Sequence, residues 1–316
     1  SVLMTAAALW GFSVSHSYIA LCLWAIPYGL GAGSVDASLN NYVALHYASR
    51  HMSWLHCMWG IGASLGPYIM GYALSGSGSW NMGYLYVAVL QIILTAILLF
   101  SLPLWKGRIS ADAAADTEKQ EPLSLKKIIR IPGAKAVMVT FFCYCATEQT
   151  TGLWASSYLM LNRGLSEDAA ASFASLFFVG ITIGRALGGF LTLKLNDAQM
   201  IRLGQVLVAV GALSLLIPFG VSGAMIGLIL IGLGCAPIYP SIIHSTPERF
   251  GADKSQAIIG VQMASAYVGT CLMPPVFGVI ANHINVSLLP IYLLVILMIM
   301  VFMHEKLLKV TSKRHI

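Results

Sequence analysis

This sequence predicts an all-α polytopic membrane protein, on three observations. Of its 316 residues, 58% are hydrophobic and only 9% charged, whereas a soluble domain carries roughly 25% charged residues. Mean hydropathy is +0.79. The apolar residues gather into about ten runs, most of them near the ~20 residues that cross a hydrocarbon core as a helix. Helices are the expected spanning element because hydrocarbon offers no partner to the amides of an open strand.

In chain order the runs are Val2–Val14, Tyr18–Val43, Trp54–Leu74, Met82–Leu104, Ala136–Met160, Ala170–Leu193, Met200–Phe219, Ala224–Ile243, Ala257–Ile280 and Val286–Phe302. The first is short and the chain opens on Ser1 rather than methionine, so the expectation is a fragment cut into from its N-terminal side. No basic stretch precedes the opening run, which argues against a cleavable secretory signal.

The net charge of +6 does not imply nucleic-acid binding, because the basic residues sort by side. With alternating connections, one side collects Arg50, the cluster from Lys106 to Lys135, Lys194, Arg202, Arg249, Lys254 and the group from Lys306 to Arg314. The other side has Arg163 alone, and Arg185 lies within a run. The positive-inside rule then places the basic connections and the C-terminus in the cytoplasm of a cell membrane. An even number of spans puts Ser1 there too. The six cysteines all fall within apolar runs and are expected as free thiols. Cys143 and Cys145 point to different helix faces, and no metal site or other cofactor is expected.

One long polar connection, residues 105–135, separates an incomplete N-terminal bundle of four helices, 1–104, from a C-terminal bundle of six with its cytoplasmic tail, 136–316. The end of the connection, LSLKKIIRIPG, reads as a short basic amphipathic helix on the anionic inner leaflet. The two sides repeat each other. Gly62 to Gly71 and Gly269 to Gly278 both read G-x-x-x-[GM]-P-x-x-x-G, 207 positions apart, and Gly29-Leu-Gly31 echoes Gly232-Leu-Gly234 at 203. Such parallel repeats build transporter halves. Pairing the spans leaves the fifth and sixth without N-terminal counterparts, so two helices are expected before Ser1.

With that architecture the chain resembles the major facilitator superfamily, and within it the fucose permease group of sugar:proton symporters. Gly29-Leu-Gly31 through Asp36, Asn40, Asn41, Tyr42 and Val43 resembles that group's fourth helix, with Asp36 in place of the usual Glu and Asn41 in place of Pro. Glu148 to Tyr158 (EQTTGLWASSY) resembles its seventh helix, Ala236 to Ser241 (APIYPS) its tenth, and Gln262 to Pro274 (QMASAYVGTCLMP) its eleventh. His56 has no counterpart in the pattern. The resemblance implies a bundle with about ten of twelve helices present, acting as a monomer, and aligns Asp36 with the group's protonatable acid. Gly66-Pro67 also resembles a motif of drug:proton exporters.

Asp36 and Glu148 are carboxylates within apolar runs, where a charge costs about 2.5–3.5 kcal/mol to insert. Loss of water favours the neutral acid, so each can hold a proton in one conformation and release it in another. Both are therefore expected to couple protons. Asn40 lies one turn from Asp36 on the same face. Thr151, Trp154 and Tyr158 follow Glu148 at helical spacing, and an aromatic face attracts the C–H face of a sugar. With Asn41, Tyr239 and Gln262 they make the expected substrate lining. Arg185, always charged, sits in Gly180-x-x-x-Gly184-Arg185-x-x-Gly188-Gly189, whose spacing suits close helix packing. Arg185, Gly66, Pro67 and Pro274 are expected to act in gating.

The expected function is proton symport of a small polar solute, most simply a sugar, by alternating access. The rivals are proton-coupled export of amphipathic compounds and a non-transporting truncated protein. No nucleotide loop, metal cluster or nucleophile–base pair supports an enzyme.

Overall fold

A computed structural model describes residues 1–77, 79–115, 123–217 and 220–312, with the side chains at 64, 67, 77, 104–115 and 168 outside that description. The side chain of Pro67, expected in gating, thus lies outside the described residues, as do 116–122 of the expected connection. Among the described residues every regular element is a helix: α1 (Val2–Ser13), α2 (Tyr18–His46), α3 (Ser49–Ser77), α4 (Trp80–Ala115), α5 (Leu125–Arg130), α6 (Ala134–Arg163), α7 (Glu167–Leu191), α8 (Asp197–Leu216), α9 (Gly220–His244), α10 (Thr246–Phe250), α11 (Ala252–His283) and α12 (Leu289–Ser312), with a short 3-10 turn at Val286–Leu288.

The ten apolar runs appear in order as α1 to α4, α6 to α9, α11 and α12. Seven of these, α2, α4, α7, α8, α9, α11 and α12, are long and apolar enough to cross a membrane. At 1.5 Å per residue, the 12 residues of α1 fall short of a hydrocarbon core. The other two, α3 and α6, have 29 and 30 residues and so have the length. Histidines in α3 and the threonines and Glu148 of α6 dilute their hydropathy. Helix α4 runs on to Ala115, 11 residues beyond the expected end of its span at Leu104. The alanines of that extension are strong helix formers. Helix α5 matches the expected basic amphipathic segment and buries Ile128.

Local sequence explains the boundaries. A capping box opens α8: Asn196 Oδ1 accepts from the Gln199 amide at 2.9 Å, and Gln199 Oε1 accepts from the Asn196 amide at 3.0 Å. Gly164 closes α6 in the left-handed region, with φ of 67°.

The chain forms two compact units. The first holds Ser1–Leu39 and Ile61–Pro122; the second holds Asn40–Gly60 and Leu123–Ile316. Helices α2 and α3 contribute to both, their connected ends belonging to the second. In the first unit α1 packs on α4. Asn81 Nδ2 donates to the carbonyls of Ser13 and Ser15 at 3.0 and 2.8 Å, and Gln91 Nε2 donates to Thr5 Oγ1 at 3.0 Å.

In the second unit α9 packs on α7 and α8, and α6 on α11 and α12. Small residues let α7 and α9 approach closely. A Cβ at Gly180 would lie 2.5 Å from the Ile229 carbonyl oxygen, and one at Gly184 2.5 Å from the Ala236 Cβ. Without a hydrophobic force between helices in lipid, such backbone proximity supplies the dispersion contacts that hold them. All six cysteines are free thiols.

Candidate functional site

Close packing of α7 on α9 carries the next residue of α7, Arg185, into the interior of the second unit, where it is only 3% exposed. Its Nη2 lies 3.7 Å from Glu148 Oε2 on α6. Its Nη1 donates to the His56 carbonyl at 3.3 Å, and its guanidinium carbon sits 4.7 Å from the centre of the Trp59 ring. The Nε, fully shielded, donates to no acceptor. Glu148 is 8% exposed, and the hydroxyl of Tyr144, one turn earlier on α6, donates to its Oε2. Each ion taken from water costs several kcal/mol, which only a partner and hydrogen bonds offset. Tyr144 and Arg185 supply that to Glu148.

A second polar pair adjoins the first. His56 is 7% exposed, and its Nε2 is bonded to Asn40 Oδ1 at 3.0 Å. The imidazole lies 4.4 Å from the Tyr239 ring of α9. Tyr239 in turn meets Phe141 and Tyr144 edge-on at 4.6 and 5.8 Å. Asn40, His56, Trp59, Tyr144, Glu148, Arg185 and Tyr239 therefore form one polar and aromatic cluster drawn from α2, α3, α6, α7 and α9, buried except at the half-buried Tyr239 and the exposed Trp59.

Four of the residues singled out from sequence, Asn40, Glu148, Arg185 and Tyr239, come together here. The others are placed as follows. Asp36 is half-buried and belongs to the first unit. Asn41 Oδ1 accepts from Ser255 Oγ at 2.6 Å. Thr151 turns its hydroxyl back to the Thr147 carbonyl at 2.8 Å. Trp154 Nε1 donates to the Pro274 carbonyl at 3.0 Å, bracing α11 beside its paired prolines. The Tyr158 hydroxyl donates to the Leu215 carbonyl at 2.7 Å. Gln262, wholly buried, exchanges hydrogen bonds with the Thr246 hydroxyl at 3.0 and 3.3 Å. Gly66, in the first unit, has nothing within 4 Å of where a Cβ would stand.

Sequence reasoning left out Tyr144, Trp59 and His56 as site members. Tyr144 had a signal, its spacing of four from Glu148. His56 stands early in its helix, which is where an interfacial histidine would stand too.

A further network occupies the corner between α2 and α3. Asp197, at the start of α8, accepts from Ser49 Oγ at 2.7 Å and from His244 Nδ1 at 2.7 Å. His244 Nε2 faces the Tyr47 carbonyl at 3.1 Å. With acceptors on both ring nitrogens, this geometry suits the doubly protonated imidazolium.

Helices long enough to span a bilayer, with a charged pair buried among them, define a multi-pass α-helical membrane protein. The chain belongs to the Major Facilitator Superfamily, whose sequence profile matches residues 1–166 and 137–315. It is 22% identical over 301 residues to bypass of stop codon protein 6 of Saccharomyces cerevisiae, covering 84% of this chain and 59% of that protein. It is 24% identical over 159 residues to a di-/tripeptide transporter of Lactococcus lactis subsp. lactis, covering 49% of this chain and 30% of that one. The chain thus spans less than two thirds of either relative. Among solved structures, the E. coli fucose:proton symporter superposes with a TM-score of 0.69 at 17% identity, over 96% of this chain and 81% of that one. At that identity the likeness is one of fold.

Proposed function

We propose that this chain is the transport core of a proton-coupled symporter for a small polar solute, a sugar or sugar derivative, working by alternating access between the bundles 1–104 and 136–316. The observation that carries the reading is the buried Glu148, held between the Arg185 guanidinium and the Tyr144 hydroxyl. A carboxylate kept at membrane depth by a cation and a hydroxyl is poised to exchange a proton when its surroundings open. Asp36 on α2 is the second proton carrier. The solute meets Asn40, Tyr239 and the polar face of α6, with Asn41, Thr151, Trp154, Tyr158 and Gln262 becoming available as helices shift. Arg185, Gly66, Pro67 and Pro274 act in the gating motion. The distribution of basic residues supports a cell-membrane location with a cytoplasmic C-terminus. The fold likeness to a fucose:proton symporter supports a sugar as the solute, and import is the direction proposed with it.

Uptake of labelled L-fucose and D-glucuronate into proteoliposomes tests this. An inward proton gradient should drive accumulation, and a protonophore should abolish it. Accumulation of neither solute, or accumulation indifferent to the protonophore, removes the symport reading.

A further inference from the structure

Arg185 has more donor capacity than the structure satisfies. One nitrogen faces Glu148 at 3.7 Å, one donates to the His56 carbonyl at 3.3 Å, the Tyr144 hydroxyl also stands beside the guanidinium, and the buried Nε has no acceptor. The titratable groups around the pair are Tyr144 and Cys145 on α6, Cys235 on α9 and His56 on α3. The Tyr239 ring stands against both Tyr144 and His56. Glu148 is the carboxylate that the structure pairs with this guanidinium.

Charge balance in so buried a place restricts what can bind. With Glu148 ionised, the pair is neutral, and an arriving anion would leave a net negative charge. With Glu148 protonated and nothing else bound, Arg185 stands alone as an uncompensated buried cation. Both states are costly in a low-dielectric interior. Protonation of Glu148 together with arrival of a carboxylate at Arg185 restores neutrality. A carboxylate also matches the planar guanidinium fork and offers Nε the acceptor it lacks.

We infer that Arg185 anchors a carboxylate on the solute, so that the chain binds a small organic acid of the sugar-acid class together with one proton taken up by Glu148. This rests on the reading of Glu148 as a proton carrier. It goes beyond that reading in fixing the solute's charge and in tying the one proton that Glu148 takes up to the arrival of one carboxylate at Arg185. The proton passes from water to a Glu148 carboxylate oxygen on binding and returns to water on release, so the site formed by Arg185 and Glu148 keeps its charge as it loads and empties.

Calorimetric titration of the full chain in detergent, with D-glucuronate and D-gluconate against D-glucose and L-fucose, tests the inference. The acids should bind, and roughly tenfold tighter in mildly acidic than in mildly alkaline buffer, an ordinary size for coupling between two sites. Repeating the alkaline titration in buffers of different ionisation enthalpy should show uptake of close to one proton per acid bound. Zero uptake, binding by neutral sugars alone, or no binding by either acid overturns the proposal, and none of these readouts needs a variant. Glu148→Gln should bind the acids tightly with no pH dependence. Arg185→Lys, which keeps the charge and loses the fork, should weaken the acids several-fold. Proteoliposomes separate this inference from the symport reading. If D-glucose moves protons inward as well as D-glucuronate does, symport stands and the carboxylate anchor falls. If the acids bind with proton uptake yet no solute moves protons across the membrane, the anchor stands and symport falls.

Discussion

Arg185 and Glu148, on neighbouring helices α7 and α6, share a buried ion pair in which the carboxylate has a second donor in Tyr144 and the guanidinium keeps one N–H unsatisfied. The carboxylate is therefore the better-held partner, and the cation is the one with capacity to spare. Removing one partner of such a pair leaves the other as an isolated buried charge, at a cost of about 3–5 kcal/mol. Glu148→Ala and Arg185→Ala should each lower the thermal unfolding midpoint of the detergent-solubilised protein by several degrees. A neutral double variant, Glu148→Gln with Arg185→Gln, should recover much of the loss, because it removes both charges and leaves polar side chains at both positions. Single variants as stable as the parent would mean that the pair is solvated in the working protein.

Helix proximity at α7 and α9 gives an internally controlled prediction. A Cβ at Gly180 or Gly184 would meet α9 at 2.5 Å, far inside contact distance, whereas one at Gly33 or Gly62 would meet nothing within 4 Å. Gly180→Ala and Gly184→Ala should destabilise by about 1–3 kcal/mol, the usual cost of overpacking. Gly33→Ala and Gly62→Ala should be neutral or stabilising by up to about 1 kcal/mol from helix propensity alone. Equal effects in the two groups, measured by thermal shift, would contradict the packing.

The helices were legible in the sequence because apolar runs near the length of a bilayer admit few other structures. Helix ends in water were less so: the polar residues after Leu104 read as a connection, and the helix propensity of the alanines, a weak signal by itself, carries α4 on to Ala115. Within the site, Glu148 and Arg185 stood out as charges in apolar surroundings, but their pairing depends on which face α7 turns to α6. The contact between Arg185 and the His56 carbonyl joins residues 129 apart in sequence, beyond the reach of periodicity. Trp154, Tyr158 and Gln262 illustrate the opposite difficulty. A polar group on a membrane helix has the same sequence signature whether it faces a solute or the carbonyl or hydroxyl of a neighbouring helix, and here these three meet Pro274, Leu215 and Thr246.

The corner network around Asp197 should hold the α2–α3 connection in place. Ser49 and His244 both bond its carboxylate at 2.7 Å, and His244 reaches on to the Tyr47 carbonyl. Hydrogen bonds to a charged group contribute about 1.5–3 kcal/mol, so Asp197→Asn should loosen this corner locally. Hydrogen–deuterium exchange should rise over residues 44–53 in that variant while peptides from α12 keep their protection. A uniform rise along the chain would indicate general destabilisation, and no change would show that the corner is held by other contacts.

Asp36 offers the sharpest separation of proton coupling from solute binding. It lies one helical turn before Asn40 on α2, half-buried, and asparagine preserves its size while removing the exchangeable acid. If Asp36 carries a coupling proton, Asp36→Asn should abolish uphill accumulation of solute under an inward proton gradient. Exchange of internal for external solute, which needs no net proton movement, should persist within a few-fold of the parent rate. Counterflow in proteoliposomes measures the exchange, and gradient-driven uptake in the same preparation measures the coupling. Accumulation that survives the substitution would take Asp36 out of the coupling path and leave Glu148 to carry it alone. Loss of exchange together with accumulation would assign Asp36 to solute binding or to the helix scaffold instead.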